Sequence, residues 1–478
     1  MKVFAIIALM VFQCCAVAQH WKPLGLGALG PGQMSCLSTD SIGDRLIGSG
    51  TFKHIANEED TVLVMGMAAW NGTRWDSVAH RIQVESGNIA GQVFWSFRYQ
   101  GVLYTCGAFG FSVNPDTANF GFAQLNEETL RWEPLACINS PLTSLYTLFP
   151  REPQEYLYAT GHKTDLCGYP ESCVFRYDGS AFHEWPPWQQ IPYYSNNYVG
   201  TVFDFRGYTY MTGSFRDPLS NGYCSMMRHN GTNWEYVPGW GNAPGPIKDM
   251  SIRNDTLYLA GAFRMPAAPG NGVASFDGTT WNDLGGGIRL EIAPQYSVAQ
   301  SLHWFQNELY AGGQFSTAGG IAANGFAKWN GRQWCSLPGF DQAPGPFTQN
   351  VVDMATFRDS LYIVGAFEEL EGQPMNMMAQ WIGGDAVSQC SAPVAVHEAP
   401  AYRSGSLVVV QQQQQLLVRP PHTGPWQLAL TDAAGRTVST HTFNGNEHTM
   451  PTTALPQGLY LVSATTTGER YVSKVFVP

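Results

Sequence analysis

Apolar residues recur along this chain in short alternating runs that end in Gly, one further residue and usually Phe, as in LYTCGAF, LYLAGAF, LYAGGQF and LYIVGAF. Alternation with a period of two predicts half-buried β-strands, and no stretch follows the spacing of an amphipathic helix. The marker glycine falls at Gly50, Gly107, Gly161, Gly213, Gly261, Gly313 and Gly365, at intervals of 48 to 57 residues. A second marker follows: an aromatic or apolar residue, Asn-Gly or Asp-Gly, then Trp. Examples are WNGTRW from Trp70, RYDGSAFHEW ending at Trp185, HNGTNW ending at Trp234, FDGTTW ending at Trp281 and WNGRQW ending at Trp334. Asn-Gly or Asp-Gly between apolar runs predicts a tight hairpin, because both central residues of the favoured two-residue turn need positive φ. The first marker is itself the second strand of a hairpin, best seen in VVDMATFRDSLYIVGAF with its turn at Arg358-Asp359-Ser360. Each unit therefore has four strands, a to d.

A repeat of about 50 residues with four strands predicts a propeller blade. Seven markers predict an all-β, seven-bladed β-propeller. The seventh unit runs through Gln380-Trp381-Ile382-Gly383-Gly384 and stops before a strand d. Trp21-Lys22-Pro23-Leu24 stands alone near the other end and repeats the form of Trp132-Glu-Pro-Leu135 and Trp281-Asn-Asp-Leu284. The N-terminal strand is therefore expected to close the last blade, which removes an open edge.

Within each unit the a–b and c–d turns are short, whereas the b–c and d–a connections are long and variable. Antiparallel order puts the long connections on one rim, where binding residues are expected. Candidates there are His162, Lys163 and Asp165, Trp188 within Trp185-Pro-Pro-Trp188, Arg216 and Asp217, and Glu368, Glu369 and Glu371.

The ends of the chain add domains. Lys2, the apolar run Phe4 to Phe12 and Ala16-Val17-Ala18 read as a signal peptide over residues 1–18, with the mature chain starting at Gln19; a lipoprotein at Cys14 or Cys15 is the other reading. Residues 19–390 would form the propeller. The Ala/Pro-rich stretch 391–404 reads as a linker, and residues 405–478 as a small β-sandwich of Ig-like type. Gln411 to Gln415 is expected within a strand.

Composition narrows the partners. Charged residues are only 13% of the 478, aromatics 13%, and glycine occurs 51 times, which suits a turn-rich β protein. The net charge of −11 argues against nucleic acid or an anionic membrane as the main partner. No later run is apolar enough for a membrane-spanning helix. Of ten cysteines, eight would remain after Cys14 and Cys15 leave with the signal. Export permits disulfides, and Cys167 with Cys173 is the pair easiest to close; free buried thiols are the alternative.

Two resemblances follow from these motifs. The Gly-Gly strand end (Gly312-Gly313), then Tyr177-Asp178 with Trp185 or Phe276-Asp277 with Trp281, resembles kelch-type propellers over roughly residues 20–390. The C-terminal pattern of Leu455, Gly458, Tyr460, Lys474 and Val475 resembles the sorting domain of type IX secretion substrates. That second resemblance implies the type IX machinery as partner, a Gram-negative bacterial source, passage through the periplasm and outer membrane, secretion or display at the cell surface, and removal or exchange of the tail.

No catalytic motif stands out. SFDGTTW is one residue short of a sialidase Asp-box, and His54, His80, His162, His183 and His229 are scattered singly rather than spaced as ligands. Met375, Met377 and Met378 suit core filling better than metal binding. No cofactor is expected. Asp followed by Ser or Thr and an apolar residue resembles the O-glycosylation acceptor pattern of some bacteria that use type IX secretion, which implies acceptor sites at Ser41, Thr61, Ser77, Thr117, Thr256 and Ser360. The first functional reading is a non-catalytic binder of an extracellular glycan or protein. The alternative is a polysaccharide-active hydrolase or lyase.

Overall fold

The computed structural model describes residues 19–29, 32–79, 92–110, 120–135, 145–150, 156–185, 198–216, 223–240, 245–264, 271–282, 284–342, 349–392, 402–403, 407–412, 415–432, 436–453, 455–466 and 469–477. The protein is all-β. It divides into two compact units, residues 1–393 and 394–478.

In the larger unit, successive antiparallel sets of four strands follow the repeat. The first joins Met34–Asp40, Arg45–Gly50, Met67–Trp70 and Trp75–Ser77. The second joins Gln92–Tyr99, Val102–Gly110, Phe120–Asn126 and Arg131–Pro134. The third joins Leu145–Pro150, Leu157–Leu166, Tyr169–Tyr177 and Phe182–Glu184, and touches the fourth through the His162↔Tyr198 pairing. The fourth joins Tyr198–Phe205, Tyr208–Arg216, Tyr223–His229 and Trp234–Tyr236. Ile247–Arg253, Thr256–Arg264, Asn271–Phe276 and Trp281–Asn282 make the fifth, and Val298–Phe305, Glu308–Gln314, Phe326–Trp329 and Trp334–Ser336 the sixth. The last joins Asn350–Phe357, Ser360–Ala366 and Met378–Trp381 to Trp21–Pro23, with Trp21 opposite Trp381. The closing strand expected from Trp21-Lys22-Pro23-Leu24 is thus in place. The last sheet also packs on the first: Phe357, Tyr362 and Val364 share a core with Met34, Leu46 and Trp75.

Each marker has a local cause. In every set the marker glycine lies opposite strand a just before a register shift, as in Gly50↔Met34, Gly213↔Val199 and Gly365↔Val351. A Cβ at Gly50, Gly213 or Gly365 would overlap the backbone carbonyl of Gln33, Tyr198 or Asn350. Only glycine admits so close an approach.

The second marker is a hairpin of a different kind from that expected. Trp70 pairs with Trp75, His229 with Trp234, Phe276 with Trp281 and Trp329 with Trp334, leaving four-residue connections. The glycine has positive φ, but the Asn or Asp before it does not. Its side chain works instead: Asn71 Oδ1 accepts the amides of Thr73 and Arg74, and Asn230, Asp277 and Asn330 repeat the arrangement. The flanking aromatics face each other, with ring centroids 5.3 Å apart for Trp70–Trp75 and 4.4 Å for Phe276–Trp281. Turns with positive φ at both central residues occur in the a–b hairpins, at Gln100-Gly101, Arg206-Gly207, Asn254-Asp255, Gln306-Asn307 and Arg358-Asp359. In the third set, Phe182 rather than Trp185 faces the hairpin aromatic, Tyr177.

Tryptophans of strand d tie neighbouring sets together. Trp75 Nε1 donates to Leu24 O at 2.8 Å, Trp21 to Pro338 O at 2.8 Å, Trp281 to Pro238 O at 2.9 Å, and Trp334 to Leu284 O. Each acceptor lies three or four residues beyond the corresponding aromatic of the preceding set. Trp21 therefore occupies a regular place in this series, fully buried against Phe326, Phe340 and Trp381.

The smaller unit holds a sheet in the order Tyr402–Arg403, Glu469–Val477, Gly458–Thr466, Gly424–Asp432 and Thr437–Gly445. A second sheet joins Val408–Gln412, Gln415–Arg419 and His448–Pro451. Their core includes Leu416, Trp426, Leu428, Tyr460 and Val462. Gln411 and Gln412 end one strand and Gln415 begins the next, with Gln412 paired to Gln415, so the run does not lie within a single strand.

Candidate functional site

The a strands lie against one another across neighbouring sets. Ser38 Oγ is 2.9 Å from Ser96 Oγ, and Thr39 Oγ1 donates to Thr356 O at 2.7 Å. In the last and fifth sets the residue after the register shift in strand a reaches the following set. Asp353 Oδ2 accepts the Leu37 amide at 2.7 Å, and Asp249 Oδ2 accepts the Leu302 amide at 2.7 Å. Protein surrounds both carboxyls although each keeps some accessible surface. Burial raises Asp249 to about 7, with Asp353 adding to the rise, and burial raises Asp353 to about 6, against the pull of the amides they accept. His303, 2.7 Å from Thr356 Oγ1, is driven down to about 4 by burial and stays neutral.

The two long connection classes do share a side. Gly27–Leu29, between strand d of the last set and strand a of the first, pairs with His54–Ala56 in the first b–c connection. Ile288–Arg289 pairs with Thr317–Ala318 in the same way at the sixth set. These b–c insertions fold outward, however, and cover the edge strand d. Asn57 exchanges hydrogen bonds with the Trp75 backbone at 2.8 and 3.1 Å, and Asp60 reaches Arg74 in the c–d turn at 2.7 Å. In the last set, Glu371 accepts the His20 amide at 2.9 Å and meets His20 Nδ1 at 2.7 Å. One candidate binding residue is therefore engaged in holding the closing strand. Glu368 and Glu369 remain exposed beside it.

The other candidates fall elsewhere. His162, Lys163 and Asp165 lie within the Leu157–Leu166 strand, which continues past the expected loop start to a turn at Cys167-Gly168. Arg216 ends the Tyr208–Arg216 strand, while Asp217 and Trp188 lie outside the described residues. The structure does not gather these candidates into one constellation. Cys173 is buried in the core shared by the third and fourth sets, and Cys167 packs against the core of the second and third. The disulfide among the described residues joins Cys335 to Cys390 instead. Gln389–Cys390 pairs with Trp334–Ser336 as an added strand, and Ser391 bonds the Trp334 backbone on both sides. Of the glycosylation candidates, Ser41 and Thr61 are exposed, Ser77, Thr256 and Ser360 are half-buried, and Thr117 lies outside the described residues.

A cavity of about 300 Å³ opens between the fourth and fifth sets on the long-connection side. Tyr198, Thr212, Ser214, Cys224, Ser225, Pro246 and Ile247 line it, with glycines between and no charged residue. Thr212 Oγ1 accepts the Thr201 amide at 3.1 Å and Ser225 Oγ accepts Trp240 Nε1 at 3.1 Å, which fixes both hydroxyls; Ser214 is exposed. No motif in the sequence pointed here. The lining mixes hydroxyl residues and glycines with the apolar Cys224, Pro246 and Ile247, and the register of four strands brings them together. Among the described residues, no group of three or more His, Cys, Asp or Glu is placed to hold a metal ion.

In the smaller unit the C-terminal motif residues have structural work. Leu455 packs on the core, Tyr460 is buried with its hydroxyl donating to Pro456 O at 2.8 Å, and Val475 is buried. Lys474 is exposed, and so are Leu459, Leu461 and Phe476 on the same face, paired Leu459↔Phe476 and Leu461↔Lys474.

The chain is thus an all-β protein of repeated four-stranded sheets carrying a terminal β domain. Residues 413–478 match the secretion system C-terminal sorting domain. That domain marks the protein for export by the type IX secretion machinery to the cell surface or the medium. No helix among the described residues is long and apolar enough to cross a membrane. No curated protein matches the chain. Among solved structures, PorZ, an essential surface component of the type IX secretion system of Porphyromonas gingivalis, is 10% identical with a TM-score of 0.34, over 92% of this chain and 65% of its own. This chain therefore spans less than two thirds of that protein. A Bacteroides thetaiotaomicron protein of unknown function is 10% identical, with a TM-score of 0.33 over 75% of this chain and 72% of its own. The Dos1 propeller is 8% identical, with a TM-score of 0.35 over 75% of this chain and 95% of its own.

Proposed function

We propose that this chain is an exported, kelch-like, seven-bladed β-propeller that binds an extracellular glycan without catalysis, and that its Ig-like sorting domain leaves the mature product. The observation that carries the reading is the cavity between the fourth and fifth sets. Its hydroxyls, backbone and one tyrosine ring suit a neutral, hydroxylated ligand, since sugars are held by hydrogen bonds and by an aromatic face. An uncharged lining gives a charged ligand nothing to pair with. The cyclic packing of the four-stranded sets, with Trp21–Pro23 completing the last, supports the ring of seven.

A glycan array with the purified exported protein tests the function, run beside hydrolase and lyase assays on the same glycans. Binding without turnover, lost in Ser214→Trp at unchanged melting temperature, is the expected result. Turnover would make the protein an enzyme, and binding unaffected by Ser214→Trp would remove the cavity from the account. Intact mass of the exported protein tests the processing: a product still ending at Pro478 refutes release of the tail.

A further inference from the structure

The smaller unit holds a pair of histidines that neither its core nor its C-terminal motif accounts for. His441 lies on the strand Thr437–Gly445, opposite the fully buried Leu428, and His448 begins the strand His448–Pro451, opposite the fully buried Val418. Residues directly opposite on paired strands share a face. Both imidazoles therefore stand on the core side, one from each sheet, and only Asn446 and Glu447 separate their strands. The two rings meet with centroids 5.1 Å apart and planes at 51°, and Phe443 stacks on His448 with centroids 4.9 Å apart. Nε2 of His448 is buried and has no hydrogen-bond partner. Buried polar atoms are nearly always satisfied, so an orphan of this kind calls for a partner. The charged neighbours do not supply one, because Arg419 and Glu447 pair with each other at 2.7 Å.

We propose that His441 and His448 together bind a divalent transition-metal ion of the zinc class, which staples the two sheets of the smaller unit. Neutral imidazole is a favoured ligand of such ions. With a nitrogen-to-metal distance of about 2.1 Å, roughly 1 Å more to each ring centre and a tetrahedral angle at the metal, two ligating rings have centroids about 5 Å apart. The spacing of His441 and His448 matches that value. The ion takes up the unpartnered nitrogen of His448, and two protein ligands leave the remaining positions to water. Because the ligands belong to different sheets, the ion binds the folded unit better than the unfolded chain and stabilises it by mass action.

The test is hydrogen exchange read by mass spectrometry on the full chain, purified with its smaller unit in place, first in EDTA and then with zinc chloride. Zinc at about 100 times its dissociation constant should slow exchange across residues 437–451 by up to about 100-fold. Magnesium, which prefers oxygen ligands, should not. Both His441→Gln and His448→Gln should lose the zinc effect. Unchanged exchange across 437–451 when zinc is added to the wild type overturns the site, and that comparison needs no variant to fold. Equal protection by magnesium overturns ligation by imidazole. Protection that persists in both variants marks an adventitious ion only and also overturns the site.

Discussion

The sheets around the chain ends and the sheets on the far side of the repeat are built from the same motifs but used differently. Around the sixth, last and first sets, b–c insertions wrap the edge strand, Glu371 clamps His20, and Cys335–Cys390 fastens the departing chain. At the fourth and fifth sets, four strand ends leave an uncharged cavity of hydroxyl and apolar residues. In the last set chain connectivity gives the clamp its place. Elsewhere strand d is covalently continuous with strand c, so a short hairpin holds it. In the last set strand d is a separate three-residue piece whose loop-closure entropy must be offset by contacts alone. The Glu371–His20 clamp supplies such contacts at that join.

The largest expected effect tests that point directly. Trp21→Ala should cost about 3–5 kcal/mol, the usual penalty for truncating a buried tryptophan. Trp281→Ala, in a continuous hairpin with a similar hydrogen bond, should cost about as much. A neutral Trp21→Ala beside a severe Trp281→Ala would show that the N-terminal strand does not hold the last set.

Replacing Cys335 and Cys390 together by serine should cost about 2–4 kcal/mol, since the bond closes a loop with a sequence separation of 55. Chemical denaturation with and without reductant measures it, and a variant as stable as the oxidised wild type would mean the exit strand is held by Ser391 and backbone bonds alone. Glu371→Ala should cost about 1–3 kcal/mol by leaving the buried side of His20 unpaired. No loss of melting temperature would return Glu371 to the pool of binding residues.

Asp249 and Asp353 give a pH test on both regions, because one belongs to the fifth set and the other to the last. Both carboxyls are raised in the folded state, so the proton binds more tightly to the folded chain. Their contribution is fully present below the ordinary carboxyl range and is lost as pH rises through about 6 for Asp353 and about 7 for Asp249. Asp40 acts oppositely: burial would raise it, but hydrogen bonds from Arg98, the Gly43 amide and Arg45 hold it below the ordinary value, so its contribution is lost only in acid. Asp249→Asn should therefore narrow the gap in melting temperature between about pH 5 and about pH 8. An unchanged gap would refute burial as the cause.

The smallest effect concerns a turn. Asp359 has φ of 58° with its neighbour Arg358 at 45°, a conformation that costs an L-residue about 1 kcal/mol. Asp359→Gly should gain up to that amount, and a loss would show that the Asp359 side chain serves the turn.

By itself the sequence determined what depends on near neighbours. Alternation marks strands because side chains alternate across a sheet, and the marker glycine is written in every unit because strand a passes too close there for any Cβ. The orphan Trp21-Lys22-Pro23-Leu24 was legible because it repeats a local pattern found elsewhere. The tertiary structure decided what depends on distant segments meeting. Asn-Gly signalled a hairpin, but only the four-residue spacing between paired aromatics made the Asn side chain, and not its φ, the turn-former. Cys335 and Cys390 are far apart in sequence, and only the path of the chain back along the sixth sheet brings them together, whereas the nearer pair Cys167 and Cys173 faces separate cores. Glu371 looked like a binding residue because an exposed-looking acidic loop carries no mark of the terminus that folds onto it. The cavity was invisible for the same reason: Tyr198, Thr212, Ser214 and Ser225 are ordinary strand residues until the register of separate strands sets them around one space.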